Sequence, residues 1–166
     1  MADVVVCMGS ASDEAKVEPC VEVLKRLGIS HVFTIASAHR TPRRLEELVA
    51  REEAAGAKVF ICAAGMAAHL AGAVAARTDR PVIGIPISGS ALGGMDALLS
   101  TVQMPPGFPV ATVALDKAGA TNAAWLAAQM IALTDRSLAE KIRAARREMQ
   151  ESIEKAGDEL SKRHGA

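Results

Sequence analysis

Aromatic side chains are scarce in this chain. It has no tyrosine, one tryptophan and three phenylalanines in 166 residues. Stacking on nucleic-acid bases or sandwiching a flavin has almost nothing to work with. An excess of either charge is also missing, since 19 basic residues balance 19 acidic ones. That balance argues against a basic nucleic-acid binder, and a composition that is 50% hydrophobic argues against disorder. The three cysteines, Cys7, Cys20 and Cys62, are odd in number, with no CxxC pattern and no metal-ligand spacing. They read as reduced, buried thiols. No apolar run is long enough to span a bilayer, and no segment joins a charged start, an apolar centre and a cleavage site. The expectation is a soluble cytoplasmic protein with no membrane or nucleic-acid partner.

What remains is small and aliphatic: Ala, Val, Leu, Ile and Met must form the core. The length suits one domain, spanning residues 1–166. Residues 4–8 are a continuous apolar run ended by Gly9, which suits a strand buried on both faces. Ser12 and Asp13 then offer helix-start chemistry, and Val17, Val21, Leu24 and Leu27 carry a helical stripe that stops at Gly28. The alternation continues with strands at 32–35, 59–62, 81–87 and 110–115. Helices are predicted around Leu45 to Val49, over 67–76, over 97–102 and through Trp125 to Leu133. Repeated βα units predict a parallel sheet covered by helices on both faces. A long helix over 137–163 closes the chain, crowded with charge but keeping a narrow stripe of Leu138, Ile142, Met149, Ile153 and Leu160. Such a seam suits either a subunit contact or a terminal helix lying on its own domain.

Ligands of open parallel sheets bind at the carboxyl ends of the strands. Three loops there carry chemistry. In the first, Gly9 to Asp13, Ser10 and Ser12 offer hydroxyls beside a helix start suited to phosphate, and Asp13 suits sugar hydroxyls. The plainer alternative is that Ser12 or Asp13 only caps the helix. The second is Ser37-Ala38-His39-Arg40-Thr41-Pro42. It sets a proton-transfer group beside an anion clamp, with Thr41 as the expected N-cap and Pro42 at the first helical position. The third, Ala63 to Leu70, holds His69 among small residues that let a ligand approach the backbone. A metal held by His39 and His69 would need further ligands that the sequence does not identify. A longer glycine- and proline-punctuated loop, 88–96 and 103–107, reads as a lid or a subunit contact.

Taken together, the motifs Met8 to Asp13, Ser37 to Pro42, Ala67-Ala68-His69-Leu70, Leu99 to Pro105, Pro109 to Thr112 and Ala118 to Ala123 resemble the PurE family of purine biosynthesis. The resemblance spans nearly the whole chain up to about Leu133. It implies a three-layer α/β/α sandwich with a parallel, flavodoxin-like sheet, and interconversion of N5-carboxyaminoimidazole ribonucleotide and 4-carboxy-5-aminoimidazole ribonucleotide by a homo-octamer, without metal or organic cofactor. It implies that Ser10, Asp13 and Arg40 bind the ribonucleotide, with Ser12 and Ser37 in the same pocket. His39 becomes the general acid and base, while His69 and the backbone from Gly65 through Ala67 and Ala68, with Leu70, lie near the migrating carboxylate. The chain departs from the family's main class at Met66, usually Gly, and Ala71, usually Pro. Gly89 is often Ser or Thr, and Trp is common at Glu14. A second class carboxylates aminoimidazole ribonucleotide directly with CO2 and commonly lacks the histidine equivalent to His69. His69 therefore favours the mutase, while Met66 and Ala71 keep the carboxylase as the alternative. A non-catalytic nucleotide-binding module on the same fold is the remaining alternative.

Overall fold

The computed structural model describes residues 1–165. Five parallel strands form one sheet in the order β2-β1-β3-β4-β5, flanked by helices on both sides. The expected α/β/α architecture is present. β1 (Val4–Met8) and β3 (Val59–Gly65) are interior strands, and their apolar runs are buried on both faces. In register, Val4 to Met8 sit beside Val59 to Ala63. Strand alternation turns Val5, Cys7, Phe60, Cys62 and Val82 to one face. There they pack with Leu45, Leu48, Val49, Leu70 and Val74. The opposite face presents Val4, Val6, Ile61 and Ile83, all fully buried or nearly so. β2 (His31–Ile35) is an edge strand and only half-buried, which explains its weaker apolar signal.

The sequence-based boundaries shift at three places. β4 (Val82–Ile87) begins one residue after Pro81, which has no N–H to offer a ladder. β5 shrinks from the expected 110–115 to Ala111–Thr112, because the chain soon turns through Asp116, whose φ is 55°. α3 (Leu70–Ala75) starts three residues later than the periodicity predicts. Two tight backbone bonds, Ala68 N–H to Met66 O at 2.9 Å and His69 N–H to Ala67 O at 2.7 Å, occupy the first turn's place. α1 (Glu14–Leu27) is preceded by a 3₁₀ turn, Ala11–Asp13. α2 (Pro42–Ala54) begins at Pro42 as expected, and α4 (Met95–Val102) follows the long loop.

Residues Met1–Ala128 make one compact unit and a second begins at Gln129. α5 (Asp116–Ala132) runs from the first into the second. α6 (Arg136–His164) is capped by Asp135, whose carboxylate accepts from Leu138 N–H at 3.0 Å. Along its predicted stripe Leu138 and Ile142 are buried, while Met149, Ile153 and Leu160 are exposed. Among the described residues no helix is long and apolar enough to cross a membrane.

Candidate active site

The loops at the carboxyl ends of β1 to β4 surround a cleft of about 530 Å³. That volume is ordinary for a small-molecule site. Ser10, Ser12, Asp13, Ser37, His39, Arg40, Gly65, Ala67, His69 and Leu70, each singled out from sequence, line it together. Ala68 does not. Its side chain is buried, because the turn at Met66 aims it into the core.

The first loop is closed by its own serines. Ser10 Oγ accepts from Ser12 N–H at 3.3 Å, and Ser12 Oγ lies 2.8 Å from Ser10 Oγ and 3.1 Å from Asp13 Oδ1. The cap is therefore Ser10, on the 3₁₀ turn. Asp13 occupies the position before α1 without a side-chain cap bond. Asp13 is thus the N-cap residue of α1 by position only, Ser12 caps neither helix, and Asp13 lines the cleft.

The second loop folds on itself. Thr41 Oγ1 accepts from Ser37 N–H at 2.9 Å, and Ser37 Oγ accepts from Arg40 N–H at 3.2 Å. Thr41 precedes α2 but does not cap it through its side chain. Its hydroxyl is taken up by Ser37, so it locks the loop instead. The Arg40 guanidinium reaches across to the first loop and donates through Nη2 to Gly9 O at 2.6 Å. This bond uses one of five N–H donors, and it ties the anion clamp to the serine loop.

The third loop supplies the partner for His39. His39 Nε2 lies 3.3 Å from His69 Nδ1, with ring centroids 5.4 Å apart and planes at 67°. A hydrogen bond at this distance needs one nitrogen to donate and the other to accept. Nothing in the sequence spacing pairs them, since they lie 30 residues apart. Parallel pairing does it by setting the ends of β2 and β3 on either side of β1. Beneath the pair, a Cβ added at Gly65 would stand 2.9 Å from Ile87 O, so only glycine lets β3 and β4 close here. Met66, next in line, has φ 55° and an exposed side chain in the cleft. A left-handed methionine is strained, and such strain gathers at ligand sites.

Ile87 and Ser88 are among the lining residues that were not singled out as site residues. They line the cleft at the end of β4, and Ser88 is held by Lys16 and Asp116 from distant elements. Their only signal in the sequence was that the long loop starts there. The three cysteines are free and buried. Burial pushes the thiols of Cys7 to about 11 and Cys20 to about 12, and raises Cys62 as well, so none is a nucleophile at neutral pH. Among the described residues no group of three or more His, Cys, Asp or Glu is arranged to hold a metal ion.

The chain has known relatives. The family model described as AIR carboxylase matches residues 3–152. The chain belongs to that family. An N5-carboxyaminoimidazole ribonucleotide mutase of Brucella melitensis is 48% identical over 151 residues, covering 91% of this chain and 93% of that protein. The protein of the same name from Escherichia coli K12 is 46% identical over 141 residues, covering 85% and 83%. The crystal structure of Treponema denticola PurE superposes with a TM-score of 0.86 at 29% identity, covering 95% of this chain and 97% of that one.

Proposed function

We propose that this protein is a mutase of purine biosynthesis. It interconverts N5-carboxyaminoimidazole ribonucleotide and 4-carboxy-5-aminoimidazole ribonucleotide. The observation that carries this reading is the His39–His69 pair, 3.3 Å apart in a cleft that also presents Arg40, Ser10 and Asp13. The relatives named as mutases support it.

The residues divide the work. Arg40 and the Ser10–Ser12 turn hold the phosphate, and Asp13 accepts from ribose hydroxyls. His39 gives a proton to the exocyclic nitrogen as the carbamate N–C bond breaks, releasing CO2 and an electron-rich aminoimidazole. Ring carbon C4 then attacks CO2, forming the new C–C bond. The C4 proton returns to His39, which restores aromaticity and the starting protonation of the enzyme. His69 shares the proton with His39 between the two steps. Ala64, Ala67, Leu70 and Ile87 give the carboxylate end an apolar wall that discourages escape of CO2.

The enzyme is proposed to act in the cytoplasm as a homo-octamer. Support for assembly comes from α4, where Met95, Leu99 and Val102 form an exposed apolar row, with Leu92 and Phe108 also exposed. Light scattering should find the octamer, and a fully active monomer would refute it.

The reaction is tested with N5-carboxyaminoimidazole ribonucleotide labelled in its carboxylate. Rapid conversion without added bicarbonate, with most of the label in the product despite excess unlabelled bicarbonate, is the expected outcome. Loss of label to the bicarbonate pool, with efficient product formation from aminoimidazole ribonucleotide and CO2, would make it the direct carboxylase instead.

A further inference from the structure

Outside the histidine pair, the densest polar contact at the cleft is a three-residue cluster on the β4 side. Ser88 N–H donates to Asp116 Oδ1 at 2.9 Å, and the Ser88 hydroxyl donates to Asp116 Oδ2. Lys16 Nζ donates to Ser88 Oγ at 2.9 Å and to Ser88 O, and pairs with Asp116 Oδ1 at 3.1 Å. Three separate elements thus converge on one residue: the first turn of α1, the end of β4 and the start of α5. Asp116 keeps this arrangement although its φ is 55°, a conformation that disfavours any residue with a Cβ. The strain is tolerated because several bonds over-determine the position.

The other end of the same loop is seated at the same place. Gly94 has φ 90°, and a Cβ there would stand 2.4 Å from Leu115 Cδ2 and 3.2 Å from Ser88 Cβ. Residues 115 and 116 therefore hold both ends of the segment 88–94. Between the ends the segment is a turn held mainly by its own Ser90, whose hydroxyl donates to Asp96 Oδ1 at 2.9 Å and accepts from Leu92 N–H at 3.0 Å, and its outer side is open. A Cβ at Gly89 or Gly93 would meet nothing within 4 Å, and Leu92 is exposed. Ser88 and Gly89 line the cleft. They do so two strand spacings, about 10 Å, from the end of β1, where the Arg40 guanidinium meets the serine loop. The rim held by this cluster is thus on the other side of β3 from the phosphate clamp.

We propose that Lys16 and Asp116 are positioning residues that act through Ser88 to keep the β4 rim closed while freed CO2 waits for ring carbon C4. This rests on the mutase reading above. The clasp touches no reacting atom. Its effect is to decide whether CO2 is captured or lost.

The test compares wild type with Lys16→Met, Asp116→Asn and the rescue variant Lys16→Arg. Labelled N5-carboxyaminoimidazole ribonucleotide is converted in excess unlabelled bicarbonate, and amide exchange is followed in residues 88–94. Lys16→Met and Asp116→Asn should lose label to the bicarbonate pool at least about threefold more than wild type, with KM nearly unchanged. Exchange in residues 88–94 should quicken about tenfold, the scale of one lost charge-assisted hydrogen bond. Lys16→Arg should restore both. Wild-type label retention in Lys16→Met overturns the clasp, and so does faster exchange spread evenly over the chain. A wild type that consumes no N5-carboxylated ribonucleotide overturns the reaction itself, and the CO2 role with it.

Discussion

The loops that bring the two histidines together are built on opposite principles. The loop after β2 is held by its own side chains: Ser37, Arg40 and Thr41 bond to one another and to Gly9. The loop after β3 has only tight backbone bonds, a left-handed Met66 and small alanines. The first is locally over-determined, so its sequence announces its shape. The second is forced by the close approach of β3 and β4 and carries strain. The lesson is that a close histidine pair can be set by one rigid arm and one strained arm. Substitutions in the two arms should then fail differently.

The largest effect is expected where the rigid arm meets the chemistry. His39→Asn should keep the fold and much of the ribonucleotide affinity while turnover falls at least about 100-fold, the low end for loss of a general acid–base. Steady-state kinetics with calorimetric binding checks this, and near-wild-type turnover would remove His39 from its role. Next, Arg40→Ala should weaken ribonucleotide binding by about 1.5–3 kcal/mol, the scale of a hydrogen bond to a charged group. Ser10→Ala should cost less. The nucleoside lacking phosphate should ignore both changes, and equal losses for nucleotide and nucleoside would put the phosphate elsewhere.

A smaller effect follows from the β4 rim. Burial tends to raise the Asp116 carboxyl, but hydrogen bonds from Ser88 and Lys16 outweigh it and hold the group below its ordinary 3.8. A depressed folded value means that the bound form is the carboxylate. Its stabilisation is complete above the unfolded-state value and disappears as pH falls through the folded one. Asp116→Asn should therefore be about 1–2 kcal/mol less stable at neutral pH, a gap that is flat from about pH 5 to 8 and closes below about pH 4. Denaturant titrations across that range test it, and a gap independent of pH would remove the ionised clasp.

The smallest changes separate the two arms most cleanly, because they differ in sign. Thr41→Val removes the hydroxyl that locks the rigid loop and should destabilise by about 1 kcal/mol. Met66→Gly relieves the left-handed strain and should stabilise by about 1 kcal/mol, raising the melting temperature by about 2–4 °C for a chain of this size. If both variants melt earlier than wild type, the contrast between the arms is wrong.

How much of this could be read from the residues depended on how local each feature is. β1, β3 and the face of α1 were readable because a buried strand needs an unbroken apolar run and a helix needs its stripe. The His39–Arg40 loop was readable because Pro42 marks the helix start. Thr41 stands at the N-cap position that the sequence implies, but a free hydroxyl can serve either the helix or the loop, and only the position of Ser37 decides between them. The late start of α3 was hidden for a similar reason. Ala67 and Ala68 favour helix strongly, and the turn at Met66 overrides them.

The sequence by itself determined the alternation of strand and helix, the buried thiols, the family and most of the residues that line the cleft. Those properties follow from periodicity, composition and short motifs, which act within a few residues of one another. Tertiary structure alone decided that His39 and His69 come within hydrogen-bond distance, that Ala68 turns away into the core, and that Lys16 and Asp116 meet at Ser88. Each of these depends on which strands are neighbours. Strand order 2-1-3-4-5 is a property of the whole sheet. It brings residues 30, 72 and 28 positions apart into hydrogen-bond range, and no local pattern records such distances.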